Sequence, residues 1–422
     1  MDGEAPGNFG LMDQQAAMQW VKNNIKLFGG NPDNICLMGY GAGATSIGLH
    51  MTNPKSMELF NKAIAMSGDF LSQSSIKLPE EEKKFLDSLA RSLDCTRRPV
   101  SKFLECLRYA EVETLLKIAG KRSWKPLLDT SFMNNTYQPF LSEPPLAYFE
   151  REDSSKVPLL TGYTQMEGVL EVSELNNVTQ VSSDTLRSLF TKLMQHEIPM
   201  HNDTESSCSN NPDHIIDAVM FFYGPDLYLK EPEEFRQIIA DFVAEKNFAA
   251  STFFQASFIS KDQPVYMYRF DMKPSTASVV SQIPEWATVP HLFDLIYVWG
   301  VPYWEKIGRD WDARDKSISD TIMSLWSNFA KSSDPTGKAI FPIKWQPFTR
   351  DNPGILIVDT NFEMGNIKTL NYKAFEFWNE YYPKVRDVAL RCCEVSDSGA
   401  NRNYLYSCIN FFIVSLIAIY YS

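Results

Sequence analysis

Positive charge is scarce in this chain: 40 lysines and arginines face 52 aspartates and glutamates, for a formal net charge of -12. A nucleic-acid partner would want a basic face, so that class is excluded. Histidine is rarer still, at five residues. His196, His201 and His214 fall in polar stretches at irregular spacing, which makes no metal-ligand pattern. Nothing in the sequence calls for a metal or a cofactor. Seven cysteines in 422 residues do not make a small disulfide scaffold. Cys95 and Cys106 flank a short segment that they could close into a loop, and Cys36 reads as a buried free thiol. The opening stretch MDGEAPGNFG has neither the basic start nor the apolar core of an export signal.

The far end is different. From Tyr404 to Ser422 the chain is uncharged and largely apolar, close to the ~20 residues that span a bilayer. Ser398, Gly399 and Ala400 precede it within SDSGANRN. Small residues, a polar spacer and an apolar tail form a GPI-attachment signal, with those three as attachment candidates. A transmembrane end and a buried C-terminal helix are the alternatives; the lack of a basic flank after the tail favours GPI over a transmembrane end. Three sequons, at Asn134, Asn177 and Asn202, suit a secreted chain. An anchor without an export signal implies that the true N-terminus is missing and that Met1 is internal or a misplaced start. The expected layout is a domain over 1–383, a polar linker over 384–403 and an apolar tail over 404–422.

Within the domain the patterns alternate. GLMDQQAAMQWVKNNIKLFGG reads as a helix with Ala17, Val21, Ile25 and Phe28 at helical spacing, ended by Gly29 and Gly30. NICLM reads as a short buried strand, AGATSIGLHM as a helix, and FNKAIAMSG as a further apolar element. KFLECLRYAEVETLLKIAG and EEFRQIIADFVAEKNFAASTFFQASF read as helices, while KVPLLTGYT, PVYMYRF and GILIVD read as strands. Such alternation implies an α/β fold, a parallel sheet covered by helices on both faces.

ICLMGYGAGATSIG carries the chemistry. Strand, glycine turn and helix are the layout of a nucleophile elbow, G-x-S-x-G, except that Gly41 stands where the serine belongs. A phosphate loop would need a lysine that this turn lacks. The partners of an elbow follow as acid, then histidine. Glu167 lies just after the strand VPLL, and His291 lies in a later segment, VPHLFDLIYVWG. A carboxylate at a strand end and a histidine in a later loop are what a triad requires.

EAPGNFGLMDQQAAMQWVKNNIKLFGGNPDNICLMGYGAGATSIGLHM closely resembles the type-B carboxylesterase and cholinesterase family. NKAIAMSG, CTRRPVSKFLECLR, VPLLTGYTQMEG, VPHLFDLIYVWG and IMSLWSNFAKSSDP, with Trp345 in IKWQPF, resemble its later segments in order. The resemblance implies an α/β-hydrolase fold without its N-terminal part, and a Cys95–Cys106 bridge. It maps the triad acid to Glu167 and the histidine to His291 with Asp294 behind it. Of the oxyanion donors, only the Ala42 amide has a counterpart. Three departures stand out: Gly41 at the nucleophile, Tyr40 before it, and Leu292 where the family has glycine after the histidine.

These features imply a cell-surface, non-catalytic member of the neuroligin, neurotactin, glutactin and gliotactin kind, bound to a protein partner and acting in adhesion. One alternative is a working ester hydrolase with a sequence or gene-model error at position 41. Another is a protein that sequesters an apolar ester ligand.

Overall fold

A computed structural model describes residues 7–71, 75–120, 124–130, 138–154, 156–178, 181–195, 197, 213–225, 231–276, 279, 283–304, 311–337 and 344–390. They fall into two compact units, one within Met1–Ser183 and Pro225–Tyr381, the other within Asp184–Gly224 and Tyr382–Ser422.

The first unit is built on a six-stranded sheet: β1 (Cys36–Tyr40), β2 (Lys62–Met66), β3 (Leu159–Thr164), β4 (Val265–Phe270), β5 (Ile355–Val358) and β6 (Glu363–Met364). The strands lie in sequence order. β1 to β5 are parallel, and β6 closes antiparallel on β5. β2, β3 and β5 are buried throughout, as strands covered on both faces must be.

The register sorts the side chains. Tyr266, Tyr268 and Phe270 pack with Ile322, Trp326 and Phe329 of the helix Ala313–Ser332. Thr161, on the opposite face, accepts a hydrogen bond from Gln255 of the helix Ala250–Ile259 at 3.1 Å. Strands therefore run between helices on both faces, as the sequence alternation implied. The second unit holds the helices Asp213–Tyr223 and Tyr382–Leu390, where the Tyr382 hydroxyl donates to Glu197 Oε2 at 2.5 Å.

Several local expectations change. β1 is only half-buried, with Met38 38% exposed, because it is the edge strand of the described sheet. The first helix, Phe9–Asn24, turns Leu11 and Met18 inward, and Phe28 beyond it is 70% exposed. KFLECLRYAEVETLLKIAG forms two helices, Val100–Tyr109 and Val112–Ala119, broken where Ala110 and Glu111 adopt extended backbone. Cys95 and Cys106 are disulfide-bonded, and Cys36 is a free, half-buried thiol pushed up to about 12 by burial, against the opposing pull of Lys62. Asn177 is exposed at the end of the turn Ser173–Asn177. Asn134, Asn202, the candidates at 398–400 and the tail 404–422 lie outside the described residues. Among the described residues, no helix is long and apolar enough to cross a membrane.

Candidate active site

β1 ends at Tyr40, and the helix Ala42–Met51 starts two residues later. Gly41 makes the whole turn, at φ 54° and ψ -117°. That is a left-handed, strained backbone that side chains rarely adopt. The turn is pinned on both sides. Gly41 N–H donates to Met66 O at 2.9 Å, and Gly41 O accepts from Thr45 N–H at 3.0 Å. Two neighbouring glycines are sterically required. A Cβ on Gly39 would lie 2.4 Å from the Gly43 carbonyl, and one on Gly68 2.2 Å from Gly41 O. Gly41 is the opposite case. A Cβ there meets only Ser67 O, 4.0 Å away. The space for a side chain is open, and the side chain is missing. Ala42 N–H opens the helix among the amides that have no intrahelical acceptor, which keeps it the candidate donor for an anion at this turn.

The acid and the histidine meet above this turn. Gln165 N–H donates to Phe270 O at 3.0 Å, and Met166 N–H to Val289 O at 2.9 Å. The Thr288 hydroxyl donates to Gln165 Oε1 at 2.7 Å. These bonds tie the loop after β3 to the loop that carries His291. Glu167 is fully buried, and a buried carboxylate needs partners. It accepts from Thr164 N–H at 2.8 Å and from the Ser67 hydroxyl at 2.5 Å through Oε1, and from His291 Nδ1 through Oε2. With Nδ1 engaged, Nε2 is the ring nitrogen left to handle a substrate proton. The ring lies against Tyr40 and Phe248, with centroids 4.9 and 5.4 Å apart. Burial draws the imidazole pKa down, but the Glu167 hydrogen bond and charge outweigh it and hold it above the usual histidine value. Asp294 lies behind, fully buried, with its pKa pushed up to about 7 by burial and the Glu167 charge. The Tyr268 hydroxyl donates to it at 3.0 Å.

Tyr40 and Leu292 prove to be partners. Leu292 sits at φ 77°, the left-handed region that favours glycine. Its N–H donates to the Tyr40 hydroxyl oxygen at 2.7 Å. That oxygen also lies 3.4 Å from His291 Nδ1. Each departure thus supports the other. Sequence reasoning missed Ser67 and Phe248. Ser67 had one usable signal: it follows β2 directly, at the carboxyl end of a parallel strand, where sites in such sheets form. Phe248 lies inside a long apolar helix and gave none.

A mostly parallel sheet with a glycine elbow after one strand, an acid after another and a histidine in a later loop defines an α/β-hydrolase. The carboxylesterase family model matches residues 1–378, and the chain belongs to that family. It is 28% identical to a cholinesterase of Mus musculus over 390 residues, 91% of this chain and 62% of that protein. It is 27% identical to an acetylcholinesterase of Bungarus fasciatus, over 90% of this chain and 61% of that one. A bile salt-activated lipase of Rattus norvegicus is also 27% identical, over 89% and 60%. The chain therefore spans about three fifths of the length of the relatives it matches.

Proposed function

We propose that this chain is a cell-surface carboxylesterase relative that binds a protein partner in adhesion and does not turn over esters. One observation carries the reading. The apex of the elbow, Gly41, supplies backbone geometry but no oxygen. Ester hydrolysis at an elbow begins with attack by a side-chain oxygen on the carbonyl carbon, and general-base help cannot replace it. Glu167 and His291 are kept as a buried, hydrogen-bonded pair. Without a nucleophile their role is to hold the two loops together. The Cys95–Cys106 disulfide supports an oxidising, extracellular setting. The layout 1–383, 384–403 and 404–422, a GPI or transmembrane anchor, and glycosylation at Asn134, Asn177 and Asn202 belong to the same proposal.

The full chain, expressed on cells, is expected to cluster them while showing no ester turnover above free imidazole and no labelling by an organophosphonate. Labelling of the unaltered protein would overturn the inactive reading, and cells that stay dispersed would overturn the adhesive one. The open space at Gly41 and the intact acid–histidine pair favour a second reading, a working hydrolase whose position 41 is serine. The transcript's codon at position 41 decides between them.

A further inference from the structure

On the sheet face away from Asp294, the first unit has a cavity of about 610 Å³. Tyr163 and Arg269 line it from paired positions on β3 and β4. Asp241 enters from the helix Pro232–Ala244 and Glu245 from the π-turn Glu245–Ala249 that continues it. Lys368 and Tyr372 come from the segment after β6. π-turns inside helices concentrate at functional sites. Here the same turn carries Phe248 against His291 on its other side.

Two features point to a ligand. Tyr163 is 3% exposed, yet its hydroxyl has no hydrogen-bond partner among the described residues. Burial raises its pKa, so the phenol stays protonated, a donor open to the cavity. Arg269 has five donors. It spends Nε and Nη2 on Asp271, at 2.8 and 2.6 Å, and Nη1 on Thr369 O at 2.6 Å. That leaves two N–H groups beside Tyr163. Asp241, in the same lining, is held by the Gln237 amide at 2.7 Å, and burial raises its pKa. The lining therefore carries both acceptors and donors. A ligand with one charge would satisfy only half of it.

We propose that this cavity binds a small zwitterion of the free α-amino-acid class. The ammonium sits at Asp241 and Glu245, and the carboxylate sits at Tyr163 and Arg269, with Lys368 at the rim. Tyr372 and Phe375 offer aromatic surface to an apolar side chain. The proposal does not depend on the elbow or on adhesion.

Three probes test it by calorimetric titration of the full chain: phenylalanine, its amide, which lacks the carboxylate, and N-acetylphenylalanine, which lacks the ammonium. Phenylalanine is expected to saturate one site, and each of the other two to bind about tenfold more weakly or worse. Tyr163→Phe and Asp241→Asn are expected to weaken phenylalanine to a similar degree. Tyr163→Phe removes a single unbonded oxygen, so it serves even if Asp241→Asn fails to fold. Equal binding of the three probes, no saturation by phenylalanine, or unchanged binding in Tyr163→Phe overturns the proposal.

Discussion

Gly41→Ser separates shape from chemistry at this site. The added side chain meets open space, since the nearest neighbour to its Cβ is Ser67 O at 4.0 Å. Its cost is backbone strain, because φ 54° and ψ -117° are left in place by the bonds to Met66 O and from Thr45 N–H. Such a conformation costs a non-glycine residue about 1–3 kcal/mol. Urea unfolding should therefore show a loss of that size and no more. The gain is chemical. Loss of the nucleophile in a serine hydrolase lowers turnover by roughly 10⁶-fold, so restoring it beside an intact Glu167–His291 pair should show first as covalent labelling. Treatment with a fluorophosphonate, read by intact mass, is expected to leave the unaltered chain unmodified and to add one adduct to Gly41→Ser. A variant that folds, loses only this much stability and still takes no adduct would refute the claim that position 41 is what silences the site.

Other outcomes follow from buried groups. His50 is 2% exposed, 2.9 Å from the Ser56 hydroxyl and 3.0 Å from Gln14 Oε1, and burial lowers its pKa from 6.5 to about 4. The unfolded chain then binds the proton more readily. Stability from this residue is complete above about pH 6.5 and falls through pH 4, by about 3 kcal/mol in all. Urea midpoints measured between pH 4 and 7 should flatten in His50→Gln; an unchanged slope would exclude His50 as the cause. Tyr40→Phe leaves Leu292 N–H without its acceptor and is expected to destabilise by about 1–2 kcal/mol, with faster amide exchange at Leu292. Unaltered exchange there would count against the Tyr40–Leu292 bond.

Much of the site could be read from residue order. The elbow was legible because a glycine turn follows an apolar strand and precedes a small-residue helix, and Gly39 in that turn answers a steric demand no other residue meets. Glu167 was legible because it follows a buried apolar strand. The Tyr40–Leu292 bond was not, since the two residues stand 252 positions apart and only the fold brings them together. The buried face of the first helix was not legible for a related reason. Periodicity marks a helix but does not say which stripe finds a partner, and here Gln15, between Leu11 and Met18, joins the buried network through Asn53 and Ser56. The edge position of β1 likewise depends on what pairs with it, which the apolar run in NICLM does not encode.

The hydrogen bond between Leu292 and Tyr40 locks two departures from the family pattern together. A small residue at position 40 would strand the Leu292 amide in its left-handed turn. A glycine placed back at 292 would relieve that turn but leave the Tyr40 ring against the histidine. Each restoration alone passes through a poorer protein, so the two positions act as a ratchet. A serine at position 41, whose Cβ would meet only Ser67 O, leaves this pair untouched, so the nucleophile can change while the pair stays fixed.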